Sequence, residues 1–147
     1  MKKVSLATFQ KDTLYPKVVQ ACAELLRESD EISPVAILMK IGNLTPRDYD
    51  AWRSGRIPYL EHAFQGSLSK ANRYLRIIGF YAHDLNMVPI QRTYCQTGKK
   101  RILRFSRSGD PNVEKSYSKH YLWNQGQAQK QDLIVKTSSE QSGRDGR

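Results

Sequence analysis

Apolar residues recur at helical spacing through the first half of the chain, and the period changes beyond residue 86. Over residues 12–30, Leu14, Val18, Cys22 and Leu25 form a stripe with Val19 and Leu26 beside it, the pattern of an amphipathic helix. Asp30-Glu31 close that stretch. Ser33-Pro34 then opens a short apolar helix, PVAILMKIG. Ser33 is placed to accept free N–H groups and Pro34 suits the first turn. Gly42-Asn43 tolerate the left-handed backbone that ends a helix. Thr45-Pro46-Arg47-Asp48 repeats the signal, with Thr45 as cap and Asp48 as a short version of the capping-box acid, and the helix stops near Ser54-Gly55. Pro58 restricts Ile57 and opens a further helical turn.

Ser67 caps a longer predicted helix, residues 68–85. Its apolar face is Ala71, Tyr74, Leu75, Ile78, Ala82 and Leu85, while Lys70, Arg73 and Arg76 fall away from that face. Ile77 and Phe80 blur the division and read as outward. The stretches 87–97 and 101–106 are then rich in β-branched and aromatic residues around Gly98-Lys99-Lys100, which predicts a β-hairpin at about 87–106 with Leu103 and Phe105 inward. Asp110-Pro111 starts a last helix, with Val113, Tyr117, His120 and Tyr121 on one side, ending near Trp123. From residue 125 the chain is Gln-, Ser- and Gly-rich, with Leu133-Ile134-Val135 as its apolar run. The expectation is an α+β, mainly helical single domain over 1–124, possessing one hairpin and resembling a winged helix in element order. A flexible polar tail is expected over 125–147. The expected core is Val18, Leu25, Ile37, Leu38, Trp52, Leu60, Leu75, Ile78, Leu103, Phe105 and Tyr117.

Charge adds the functional signal. The 147 residues carry 24 Lys and Arg against 14 Asp and Glu, a formal charge of +10. Residues 70–108 hold nine of the cations against Asp84 alone. Localised positive charge of this kind points to an acidic partner, nucleic acid first among them. In a winged-helix arrangement one helix enters a groove while the hairpin rests on backbone phosphate. The expected function is therefore non-enzymatic nucleic-acid binding, with DNA favoured over RNA, through Lys70, Arg73, Arg76, Arg92, Lys99, Lys100, Arg101, Arg104 and Arg107. Tyr94 is a candidate for stacking on bases, whereas Phe105 reads as core. Two alternatives stand beside this one: an adaptor or inhibitor that binds an acidic partner protein, and a small metal-dependent nuclease.

Catalytic signals are sparse. His83-Asp84 is a potential metal-ligand pair, but the chain has only three histidines, too few for the additional ligands such a site needs. Asp110 and Glu114 sit four apart in a basic setting, yet Asp110 reads as a helix cap and Glu114 as a solvated charge. Arg53 and Arg56 read as partners of Asp48, Asp50 or Glu61. No Walker loop, GxSxG or GxGxxG occurs, and no cofactor or catalytic residue is expected. Cys22 and Cys95 lack CxxC or metal spacing, the pattern of free thiols in a reducing compartment. Gln10, Lys11 and Asp12 interrupt any apolar leader, and no apolar stretch approaches the roughly 18–20 residues of a membrane span. A cytoplasmic location without membrane contact is expected.

Two stretches, LTPRDYDAWRSGRIPYLE (44–61) and LRFSRSGDPNVEKSYSKHY (103–121), resemble segments of small uncharacterised bacterial proteins with the patterns LTPxDYxxWRxGRxxYLE and LxFSxSGDPxxExxYxxHY. The resemblance implies a bacterial, cytoplasmic origin and brings no activity with it.

Overall fold

The structure, a computed structural model, describes residue 5 and residues 7–145, with side chains described through residue 139. Among the described residues there are six α-helices and a three-stranded antiparallel sheet, an α+β arrangement dominated by helix. In chain order these are α1 (Tyr15–Glu28), β1 (Glu31–Ile32), α2 (Pro34–Ile41), α3 (Pro46–Arg53), α4 (Leu68–Asp84), β2 (Val88–Gln91), α5 (Pro111–Ser118), β3 (Lys119–Leu122) and α6 (Gln127–Asp145). Short 3-10 turns cover Phe9–Lys11 and Leu60–Ala63.

The helix starts follow the caps read from the sequence. Ser33 Oγ accepts from Ala36 N–H, Thr45 Oγ1 from Asp48 N–H and Ser67 Oγ from Lys70 N–H, each at 3.1 Å. Asp110 Oδ1 accepts from the N–H groups of Asn112 and Val113 at 2.8 and 3.3 Å. Each side chain satisfies donors that have no partner inside their own helix. Gly42 ends α2 at φ +101°, a conformation open to glycine at little cost.

Packing follows the same apolar residues. Val18, Ile37, Leu38, Trp52, Leu60, Ile78, Leu103, Phe105 and Tyr117 are buried in one core, and Leu25 and Leu75 pack half-buried against it. In α4 the buried face is Ala71, Tyr74, Ile77, Ile78, Tyr81 and Ala82. Ile77 therefore belongs to the core and does not point outward, since it stands three and four residues from Tyr74 and Tyr81 on one stripe.

Three expectations about the second half are corrected. First, residues 87–106 do not form one regular hairpin. Val88–Gln91 pairs instead with Lys119–Leu122, and the sheet order is β1-β3-β2. What survives of the hairpin is a tight turn at Gly98 with one bridge, Cys95 to Ile102, and the bonds Leu103 N–H to Tyr94 O and Gln96 N–H to Arg101 O, both 2.8 Å. Pro89 lacks an N–H and sits on the edge strand, where such a gap is tolerated. Second, the helix from Pro111 stops at Ser118, so His120 and Tyr121 are strand residues. Third, within the segment read as a flexible polar tail, Gln127–Asp145 form α6, packed along α1, and residues 146–147 lie outside the described residues. Ile134 is buried there, and Lys130 is buried because its ammonium binds Asp30 Oδ1 at 2.6 Å and Ser29 O at 3.3 Å. None of the described helices is long and apolar enough to cross a membrane.

Candidate nucleic-acid interface

The nine cations divide between α4 and the long connection from β2 to β3, residues 92–118. Lys70 and Arg76 are exposed on α4. Arg73, between them, is half-buried and turned onto Asp12 at 2.6 Å. Arg92 forks onto Glu31, Nη2 to Oε1 at 2.8 Å and Nε to Oε2 at 3.2 Å. These two guanidiniums are held by carboxylates, so their charge is partly neutralised locally. Lys99, Lys100 and Arg101 stand exposed at the tip of the Gly98 turn and form no ion pair with any described residue.

The base of that turn is fixed to the end of α3. Thr97 N–H donates to Arg53 O at 2.8 Å, and Gln96 Nε2 donates to Ser54 O at 3.1 Å. Gly55, at φ +84°, allows the approach: a Cβ there would come within 2.8 Å of the Gln96 amide. Arg53 does not pair with Asp48, Asp50 or Glu61. Its guanidinium donates to Cys95 O and Tyr49 Oη at 3.2 and 2.9 Å and lies 5.6 Å from the Tyr94 ring centre. It is a brace between α3 and the turn. Arg56 remains exposed beside it, bonded to Ser54 Oγ at 2.9 Å.

Residues 104–107 are held by two carboxylates whose role the local sequence pattern does not reveal. Glu114 accepts from Phe105 N–H, Ser106 N–H and Ser106 O–H at 3.0, 2.7 and 2.6 Å. Glu61 accepts from Arg107 N–H at 2.9 Å and from Tyr117 O–H at 2.7 Å. Glu114 is thus no solvated charge, and capping of α5 falls to Asp110. Arg104 lies over the Tyr59 ring at 5.2 Å and donates to the carbonyls of Ser106 and Arg107 at 2.8 and 3.0 Å, while the Arg107 side chain is exposed. A shallow cleft lined by Glu61, Leu68, Asn72 and Arg107 links this loop to the start of α4.

Beneath the turn lies a hydroxyl–imidazole–carboxylate row. Tyr94 Oη meets His120 Nε2 at 2.7 Å, and His120 Nδ1 meets Glu31 Oε2 at 2.6 Å. With the shared proton on Nδ1, Nε2 accepts the Tyr94 O–H. The Arg92 guanidinium and then the His120 hydrogen bond hold the Glu31 carboxyl below its ordinary range. Burial pushes the Tyr94 phenol up to about 12. The row ties β1, β3 and the connection together through these two hydrogen bonds. Burial also removes Tyr94 from contact with bases, and it packs on Trp52 and Phe105 at 5.7 and 5.2 Å. Among the described residues no group of three or more His, Cys, Asp or Glu side chains is arranged to hold a metal ion.

No protein family, no curated protein and no solved structure matches this chain.

Proposed function

We propose that this chain binds nucleic acid without catalysing a reaction, with duplex DNA favoured over RNA, and that its contact surface is a winged-helix-like pair formed by α4 and the β2–β3 connection. The observation that carries the reading is the Lys99-Lys100-Arg101 tip: three adjacent exposed cations with no carboxylate partner among the described residues, on a turn braced at its base by Arg53 and Gln96. An unneutralised cationic tip suits backbone phosphate, because each phosphate contact releases condensed counterions.

Topology supports the winged-helix half of the proposal. The features that favour it are a strand between the first two helices, a long helix before the second strand and the order β1-β3-β2, with α3 and α5 as additions to a winged-helix plan. On that plan α4 takes the groove-facing role and the 92–118 connection is an enlarged wing. Lys70 and Arg76 from α4, and Arg56 and Arg107 beside the loop, extend the positive surface. Arg73 and Arg92 contribute less, since Asp12 and Glu31 engage them.

A gel-shift series with duplex DNA, single-stranded DNA and RNA at two ionic strengths tests the proposal. Duplex binding that weakens at the higher ionic strength, and that weakens for every sequence in K99E/K100E/R101E, is the expected result. Absence of binding to all three polyanions at low salt contradicts it. Retention of an acidic protein in their place supports the adaptor alternative.

A further inference from the structure

A second concavity, of about 490 Å³, lies between α4 and the sheet. Leu75 and Phe80 of α4, Met87 before β2, and Tyr121 of β3 give it an apolar floor. Arg76, His83 and Lys119 stand at its edge, and no carboxylate lines it. None of these three takes part in an ion pair with a described residue. The volume is in the range that takes small organic ligands, which bind where an apolar body meets a few convergent polar groups.

Two details shape the interior. Gly79 faces Tyr121, and a Cβ at that position would sit 3.6 Å from the Tyr121 hydroxyl with nothing else near it. The missing side chain keeps the middle of the cleft open. The Tyr121 hydroxyl forms no hydrogen bond with a described residue, and a phenol is in its O–H form, a donor, at neutral pH. The cleft therefore offers an apolar slot, a hydroxyl without a partner among the described residues and a rim of positive charge.

We propose that this cleft is a binding site for a small amphiphilic anion, an aromatic or branched aliphatic group bearing a carboxylate, with the apolar part over Phe80 and Met87 and the carboxylate between Arg76 and Lys119. Charge complementarity selects the anion: a neutral ligand leaves the two cations unused, and a cation is repelled. A bare inorganic anion gains nothing from the floor. The site stands whether or not the Lys99–Arg101 tip contacts nucleic acid.

Titration of the ¹⁵N-labelled full chain with naphthalene-2-carboxylate, 2-naphthamide and inorganic phosphate tests this. The carboxylate is expected to give saturable shifts at the amides of Arg76, Gly79, Phe80 and Lys119, with the neutral amide binding about tenfold more weakly. Arg76→Gln with Lys119→Gln lowers carboxylate affinity about tenfold, to the level of the amide. Gly79→Leu, which raises helix propensity and projects a side chain into the slot, abolishes the shifts while the rest of the spectrum keeps its dispersion. The two rim substitutions are at the surface and test the same site if the leucine disturbs packing. Equal affinity for carboxylate and amide, phosphate binding as tight as carboxylate, shifts centred elsewhere, or no saturable shift at millimolar carboxylate would each overturn the proposal.

Discussion

Glu114 shows how much one carboxylate can fix. Its two oxygens take three donors from Phe105 and Ser106, both buried. Glu114→Ala leaves two buried N–H groups without an acceptor and is expected to lower stability by about 3 kcal/mol, read from urea unfolding. Glu114→Gln keeps one accepting oxygen and should fall between alanine and wild type. Alkaline pH tests the buried acids. Burial pushes Cys22 and Tyr94 up to about 12 and raises Tyr117 further, with its Glu61 bond adding to the effect. In the unfolded chain these groups lose their protons at lower pH than in the native state. The unfolded state then binds fewer protons, so stability falls as pH rises. That contribution is intact below pH 9 and is lost progressively as pH climbs through 9–12; urea midpoints should decline steadily across the window. Helix caps were legible in the sequence because Ser33, Thr45, Ser67 and Asp110 act on N–H groups two or three residues away. Glu114 was not, because its partners lie in a loop eight and nine residues earlier and that loop is positioned by the tertiary fold.

Local periodicity gave the helices of the first half and most of their core face, since one stripe every three or four residues defines both; the exception is α4, where Ile77 and Tyr81 are buried beside Tyr74 and Ile78. It failed where the partner decides the outcome. The alternation over 87–106 correctly indicates extended chain but cannot say with which segment it pairs, and β2 pairs with β3, beyond α5. His120 and Tyr121 read as helical because a short Val113–Tyr121 pattern fits either period. In α6 the polar composition hid a single apolar strip around Ile134 and the burial of Lys130 by Asp30 and Ser29. A contrast of two neighbours checks this element. Ile134 is 5% exposed and Val135 is 61% exposed. Ile134→Ala is expected to lower stability by about 2 kcal/mol, whereas Val135→Ala should leave the unfolding midpoint close to wild type. Equal, negligible effects would mean that α6 does not dock on α1.

Over the whole molecule the question is where unneutralised positive charge remains. The sequence located the excess in residues 70–108, and the structure sorts it: Arg73 and Arg92 face carboxylates, Arg104 turns onto carbonyls, and Lys99, Lys100 and Arg101 stay exposed. Spacing along the chain could not supply that division, because Asp12 and Glu31 lie 61 residues from their arginines. Arg73→Gln and Arg92→Gln should accordingly lower thermal stability more than they lower nucleic-acid affinity. The most direct measurement is the dependence of duplex DNA association on salt, plotted as logarithms, for the wild-type chain and K99E/K100E/R101E. The proposed tip contact predicts a line shallower by roughly 2 to 3 in the variant, one phosphate lost for each cation. Two lines of equal slope would contradict it.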